Sequence, residues 1–285
     1  MNIAAPKVDE DAFNELFQLV NTNLWLKNYQ SALIDLWNLC DVIEQRALLS
    51  ELINRFTIIS SYEMANICRT IVKQTEKWGV VVGRTFFVAI ADPDELDGST
   101  AGLNILKNKF DPTIGWKESH FIPNLAKAAY EVNSNSDIVL FDDFIGTGKK
   151  FSRKANWFMN KISERGIKLS SLRVCTFAAM EFGIENFTNE TKLEVFTPMP
   201  LKKGISDHNN QEVANQKKLL MQQLENKLSP KFKKLRLSDH SLGYNGSESL
   251  FNIHEFNCPN NVFPIFWWPM LSNNISRKTV FSRAR

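Results

Sequence analysis

From Asp11 to about Gln74, apolar residues recur every three or four positions. Phe13, Leu16, Phe17 and Val20 are followed by Leu33, Leu36, Trp37 and Leu39, then by Ile43, Leu48, Leu49, Leu52 and Ile53. An α-helix turns once in about 3.6 residues, so this spacing lines one face and predicts three or four amphipathic helices. Ser60-Ser61-Tyr62-Glu63 has the S-x-x-E form in which a serine and a glutamate cap each other's backbone N–H groups. It predicts a new helix running toward Lys73.

At Trp78 the period changes. Thr85 to Ile90 (TFFVAI) is β-branched and aromatic with no polar alternation, the pattern of a strand buried on both faces. Ile138 to Phe141, Leu172 to Phe177 and Leu193 to Phe196 read the same way. Helical stretches at Ala101–Lys109, Ile122–Glu131 and Arg153–Glu164 separate the first three. Strand and helix in alternation predict an α/β fold with a parallel sheet flanked by helices and right-handed crossovers.

A polar helical stretch follows from Asn209, continuing as SPKFKKLRL to Arg236. Beyond it, turn signals alternate with short apolar runs, as in an added strand pair or a lid. The expected organisation is a helical N-terminal module over 1–77 and an α/β domain over 78–285. The latter carries a basic helical insert at about 205–236 and a C-terminal hood.

With 285 residues, 44% of them hydrophobic, the chain can bury a sizeable core, and its net charge of +3 does not by itself imply nucleic acid. Charge is clustered, however. Lys202 to Arg236 holds nine basic residues against three acids, and Lys231, Lys233, Lys234 and Arg236 end that run as candidate contacts to nucleic acid or its protein carrier. The four cysteines are scattered, with no C-x-x-C and no paired histidines nearby, and read as reduced core or loop residues, not as a zinc site or disulfide framework. The N-terminus has no apolar run of signal-peptide length, and VFPIFWWPML is too short and too proline-broken to cross a membrane. A cytoplasmic protein with no membrane association is expected.

The candidate chemistry lies in SDIVLFDDFIGTGKKF, residues 136–151. Here an apolar strand runs into Asp142 and Asp143, then into Gly146-Thr147-Gly148 and Lys149-Lys150. Ligands of open α/β sheets bind outside the carboxyl ends of strands. The unsatisfied N–H groups of a following helix favour an anion there, and glycines let it come close. Two carboxylates cannot serve that anion, but they can accept hydrogen bonds from hydroxyls or hold Mg²⁺. A phosphate beside a diol and a metal describes ribose 5-phosphate. A nucleotide-binding P-loop fails on spacing, because its first glycine would fall at Asp143 and its final Ser/Thr at Lys150.

This stretch resembles the 5-phosphoribosyl 1-pyrophosphate (PRPP) signature of type I phosphoribosyltransferases over about 13 residues. The resemblance implies that Asp142 and Asp143 bind the ribose hydroxyls with Mg²⁺ nearby, as the catalytic and metal-binding acids. Gly146, Thr147, Gly148, Lys149 and Lys150 would wrap the 5′-phosphate. Gly146 stands where several members carry an acid that acts on the acceptor, and Lys150 stands where the loop usually has Thr or Ser. Ribose-phosphate binding is therefore carried over more fully than acceptor activation.

A second anion-ready helix start is expected at Gly98-Ser99-Thr100, for pyrophosphate, although Asp92, Asp94, Glu95 and Asp97 would oppose it unless Mg²⁺ intervenes. The alternative is an acidic, capped helix start. With the loop, GYNGS (243–247) and CPNNVFPIFWW (258–268) are similar to elements of phosphoribosyltransferase-like proteins of bacterial conflict and antiviral systems. That resemblance spans roughly residues 60 to 270. It implies an effector of antiphage defence acting at ribose C1, with Tyr244, Ser247 and Asn260 on the acceptor side. Asn245, Glu248, Asn261, Trp267 and Trp268 stand beside them, the tryptophans being either base-stacking or core. Some such relatives travel with retron reverse transcriptases, which makes such an enzyme and its RNA–DNA product an implied partner. The competing expectation is a nucleotide-binding sensor or scaffold without transfer chemistry.

Overall fold

The computed structural model describes residues 9–93 and 97–283. Backbone contacts divide the chain into two compact units, Ile59–Lys202 and Met1–Ile58 with Lys203–Arg285. The expected boundary at residue 77 does not coincide with this partition. The capped helix before it belongs with the sheet, and the C-terminal segment belongs with the N-terminal helices.

In the second of these units, α1 (Glu10–Thr22), α2 (Gln30–Trp37) and α3 (Ile43–Asn54) form the predicted helical run. Their apolar stripes do not close on one another alone. Leu33, Leu36, Leu49, Leu52 and Ile53 share one core with Met221 and Leu224 of α9 (Gln211–Glu225) and with Phe263, Phe266, Trp268 and Phe281. Trp25 stacks on Phe281 at 5.8 Å, and Phe56 meets Phe266 edge-on at 5.0 Å. Trp267 and Trp268 are buried, so they belong to this core. The short strand β1 (Thr57–Ile59) ends the segment, and the Thr57 N–H donates to the Leu250 carbonyl.

The sheet unit begins with α4 (Ser61–Lys77), whose capping box joins Ser60 and Glu63 as the sequence predicts. Its strands are β2 (Thr85–Ala89), β3 (Phe121–Ile122), β4 (Asp137–Ile145), β5 (Ser171–Met180), β6 (Val195–Phe196) and β7 (Met199–Leu201). All pairings are parallel, in the order β3-β2-β4-β5-β6, with β7 also against β5. The connecting helices are α5 (Gly98–Lys107), α6 (Leu125–Glu131), α7 (Lys149–Glu164) and α8 (Glu181–Thr191).

The absence of polar alternation has a direct cause. On one face Ile138 and Leu140 pack with Phe151, Phe158 and Phe187 of α7 and α8. On the other, Phe141 and Phe177 meet edge-on at 5.0 Å, and α5 comes so close that a Cβ on Gly102 would lie 2.9 Å from Phe177. Both faces are covered, so Ile138 to Phe141 of the central strand are all apolar before Asp142. Helix α8 was not anticipated, because its stretch EFGIENF carries a glycine inside an otherwise helical pattern.

The remaining strands lie in the helical unit. They are the antiparallel hairpin of β8 (Lys231–Phe232) and β9 (Leu235–Arg236), and β10 (Phe251–Ile253). All four cysteines are free, and burial pushes the Cys40 and Cys68 thiols up to about 11. Cys68, Cys175 and Cys258 are buried, and Cys40 is half-buried. Among the described residues no helix is long and apolar enough to cross a membrane.

Candidate functional site

β4 outlasts the strand anticipated for it. Its ladder with β2 stops at Ala89 opposite Phe141, while its ladder with β5 continues through Asp142 opposite Thr176 to Ile145 opposite Ala179. The two acids therefore lie in the last residues of the strand, where its β2 side has been vacated. Into that side comes the start of α5. Carboxylate oxygens of Asp97, Asp142 and Asp143 all lie within 4.8 Å of one another. Gly98 is a requirement of this approach, since a Cβ there would sit 2.2 Å from Asp143 Oδ2.

Three carboxylates at this distance repel, and the environment gives little relief. Burial, followed by the charges of Asp143 and Asp97, pushes the Asp142 carboxyl well above its ordinary value. Burial likewise raises Asp143, against the hydrogen bond it shares with Asp142. Lys150, half-exposed, reaches the mostly buried Asp97 at 2.6 Å and tempers one corner of the cluster. The hydroxyl of Ser99 is buried and has no hydrogen-bond partner among the described residues. This donor set, hard oxygens with excess negative charge, is the kind that Mg²⁺ takes, and the residues fit such an ion.

The turn that follows is Gly146-Thr147-Gly148. Gly148 is the N-cap of α7 at φ +80°, a conformation that an L side chain rarely adopts. No side chain caps the terminus of this 16-residue helix. Its first N–H groups and its dipole are thus turned to whatever lies beyond the strand end. Farther along α7, Lys154 is buried, donates to the Ile90 carbonyl and pairs with Asp92 at 3.2 Å.

The turn is held from behind by α8. A Cβ on Gly183 would lie 2.0 Å from the Gly146 carbonyl oxygen, and one on Gly148 would lie 2.5 Å from the Gly183 oxygen. Asn186 Nδ2 donates to the Thr147 carbonyl at 3.3 Å. Sequence reasoning passed over Gly183, Asn186 and Lys154. The glycine in EFGIENF was the one local signal available.

The structure thus brings together Asp142, Asp143, Gly98, Ser99, Gly146, Thr147, Gly148, Lys149 and Lys150 around one strand end. The second helix start carries an acidic cap. Asp97 caps α5 by accepting from the Ser99 N–H, the acidic capped alternative. Asp94 and Glu95 lie outside the described residues.

Tyr244, Ser247 and Asn260 belong to the other unit. Ser247 is fully buried, donates to the Asn261 carbonyl and accepts from Asn261 Nδ2. The Asn260 carbonyl accepts from the Tyr244 N–H. Glu248 accepts from the N–H groups of Ile205 and Ser206 and from the Ser206 hydroxyl. GYNGSE is thus a tight turn stitched to 260–262 and to 205–206.

The basic stretch divides in two. Lys217 pairs with Glu51 at 2.6 Å, Lys218 with Glu248 at 3.3 Å and Lys227 with Asp41 at 2.5 Å, all within their own unit. Lys231, Lys233, Lys234 and Arg236 instead sit exposed on the β8–β9 hairpin, with Lys233 at φ +53° in its turn.

Comparison with known proteins gives one family. The model of the PRTase-CE family matches residues 23–283. Among solved structures, the chain is similar to an HGPRT-ase from Leishmania tarentolae in complex with GMP. That match has 15% identity, covers 49% of this chain and 73% of the other, and has a TM-score of 0.30, too slight a likeness to argue from. No curated protein matches.

Proposed function

The chain belongs to the PRTase-CE family, and on that footing we propose that its sheet unit binds PRPP or a related ribose phosphate and acts at ribose C1. The observation that carries the reading is one strand end that joins a side-chain-free helix terminus to a carboxylate cluster. The 5′-phosphate lies on the first N–H groups of α7, where glycines at 146 and 148 allow backbone contact. Asp142 and Asp143 accept from the ribose 2′- and 3′-hydroxyls. Mg²⁺, held by Asp97, Asp142 and Asp143, would offset the charge of the carboxylates and of the diphosphate.

The C1–O bond to pyrophosphate then breaks, and C1 bonds to an acceptor nucleophile or to water, which gives up a proton. Gly146 offers no side chain to take that proton. This favours a second reading, a ribose-nucleotide sensor that binds without transferring. The antiphage setting rests on the resemblance of the loop and the C-terminal elements to conflict-system proteins, and so does the retron reverse transcriptase as partner.

Calorimetric titration with PRPP, ribose 5-phosphate and nucleotides, with and without Mg²⁺, tests the binding site. Pyrophosphate release from PRPP then separates enzyme from sensor. Mg²⁺-dependent binding with release supports the enzyme, and binding without release supports the sensor. No binding by any of these ligands overturns both.

A further inference from the structure

One surface of the helical unit is apolar and has no part in the strand-end chemistry. α1, α2 and the start of α3 border a cleft of about 900 Å³ whose floor includes Leu16, Leu33 and Trp37. Its rim is made of large apolar side chains in solvent. Phe13 is 57% exposed, Phe17 60%, Ile34 53% and Ile43 58%. Phe13 and Phe17, one helical turn apart, stack at 6.3 Å and form a continuous wall. Single exposed apolar residues are ordinary, but a contiguous set around a cleft marks a binding surface.

Charge tells what kind of partner fits. The chain carries +3 overall, yet residues 9–58 hold eight acids against three bases. Asp9 and Asp41 line the cleft, Asp41 in a pair with Lys227, and Glu10, Asp11 and Glu44 are exposed on α1 and α3. Arg46, the one cation among the described lining residues, is neutralised by Asp9 at 3.1 Å and Glu15 at 3.5 Å. Acids around the apolar rim repel nucleic acid and anionic membrane alike. An apolar floor between helices accepts the apolar stripe of another helix, with anchors one turn apart. We infer that this cleft docks an amphipathic helix of a partner protein, apolar on the inserted face and flanked by lysine or arginine. The inference does not depend on the ribose-phosphate reading, because every residue it uses lies in the helical unit.

The test uses the full chain and a labelled helical peptide of about 18 residues with leucines along one stripe and lysines on both flanks. A matched peptide carries glutamates in place of the lysines. The basic peptide should bind with an affinity that falls as salt rises, and the acidic one should bind at least roughly tenfold more weakly. Phe13→Ser with Phe17→Ser alters exposed side chains only. It should weaken the basic peptide by roughly tenfold or more, with the circular dichroism spectrum unchanged. Equal binding of the two peptides, or binding indifferent to the double substitution, overturns the proposal. Concentration-dependent dimerisation in sedimentation that the double substitution abolishes also overturns it, since the cleft would then belong to a second copy.

Discussion

Gly183→Ala adds one methyl group to a residue that bears no chemistry, and it should damage ligand binding more than folding. The new Cβ would stand 2.0 Å from the Gly146 carbonyl oxygen, 3.0 Å from its carbon and 3.5 Å from the Gly148 nitrogen. All three atoms are backbone, so no side chain can swing aside. The turn and the first turn of α8 must part by about 1 Å to restore an ordinary contact. Overpacking of this kind costs about 1–3 kcal/mol, and the better helix propensity of alanine returns about 0.5–1 kcal/mol. The net loss is about 0–2.5 kcal/mol, a fall in Tm of a few degrees at about 2–4 °C per kcal/mol. The effect on a bound phosphate is larger. Moving the turn by about 1 Å takes an N–H···O contact beyond hydrogen-bond reach, and a charge-assisted bond is worth about 1.5–3 kcal/mol. Losing one should weaken Mg²⁺–PRPP or ribose 5-phosphate by about 10- to 100-fold in calorimetry. Gly83→Ala, a position with no atom within 4 Å of the added Cβ, is the control and should change neither quantity. Wild-type affinity in Gly183→Ala, with the fold intact, would refute the turn as a phosphate cradle.

Other perturbations test other parts of the site and fold. Asp142→Asn with Asp143→Asn should abolish ligand binding yet raise Tm at neutral pH. Both carboxyls are shifted upward, so the folded state holds protons more tightly than the unfolded one and loses stability as pH rises above the ordinary carboxylate range. A lowered Tm in the double variant would contradict this. Gly148→Val, at φ +80° and 2.5 Å from the Gly183 oxygen, should lose both affinity and stability, and thermal melts beside calorimetry would show it. Glu225, buried beneath the Ser241 hydroxyl and the Leu242 N–H, is pushed up to about 7 by burial. Its cost to stability should grow from about pH 4.5 to about pH 7, reaching about 3 kcal/mol, and urea titrations of Glu225→Gln should lack that slope. Reversing Lys231, Lys233 and Lys234 to Glu should weaken any salt-sensitive nucleic-acid binding in filter assays and leave Mg²⁺–ribose phosphate titrations unchanged.

The sequence alone determined the elements whose cause is local. Period-3.6 stripes gave α1 to α3, the Ser60–Glu63 box began α4, and unbroken apolar runs gave β2, β4, β5 and β6 of a parallel sheet, though not the short β3 and β7. The DDFIGTGKK stretch declared itself too, because a strand, an acid pair and a glycine turn in succession need no distant partner to be recognised. Which surfaces meet was beyond reach of any such pattern. A hydrophobic stripe states that a helix is covered but not by what, so the closure of the N-terminal helices on Phe263–Phe281 emerged only in three dimensions. The same is true of charge. Lys217, Lys218 and Lys227 look like the hairpin lysines in sequence, yet each is consumed by an acid at least 30 residues away. At the strand end, the third carboxylate and the glycine behind the turn arrive from other loops. Asp97 and Gly183 come within reach of Asp143 and Gly146 because parallel strands deliver their following segments to one edge of the sheet, a proximity that sequence spacing does not encode.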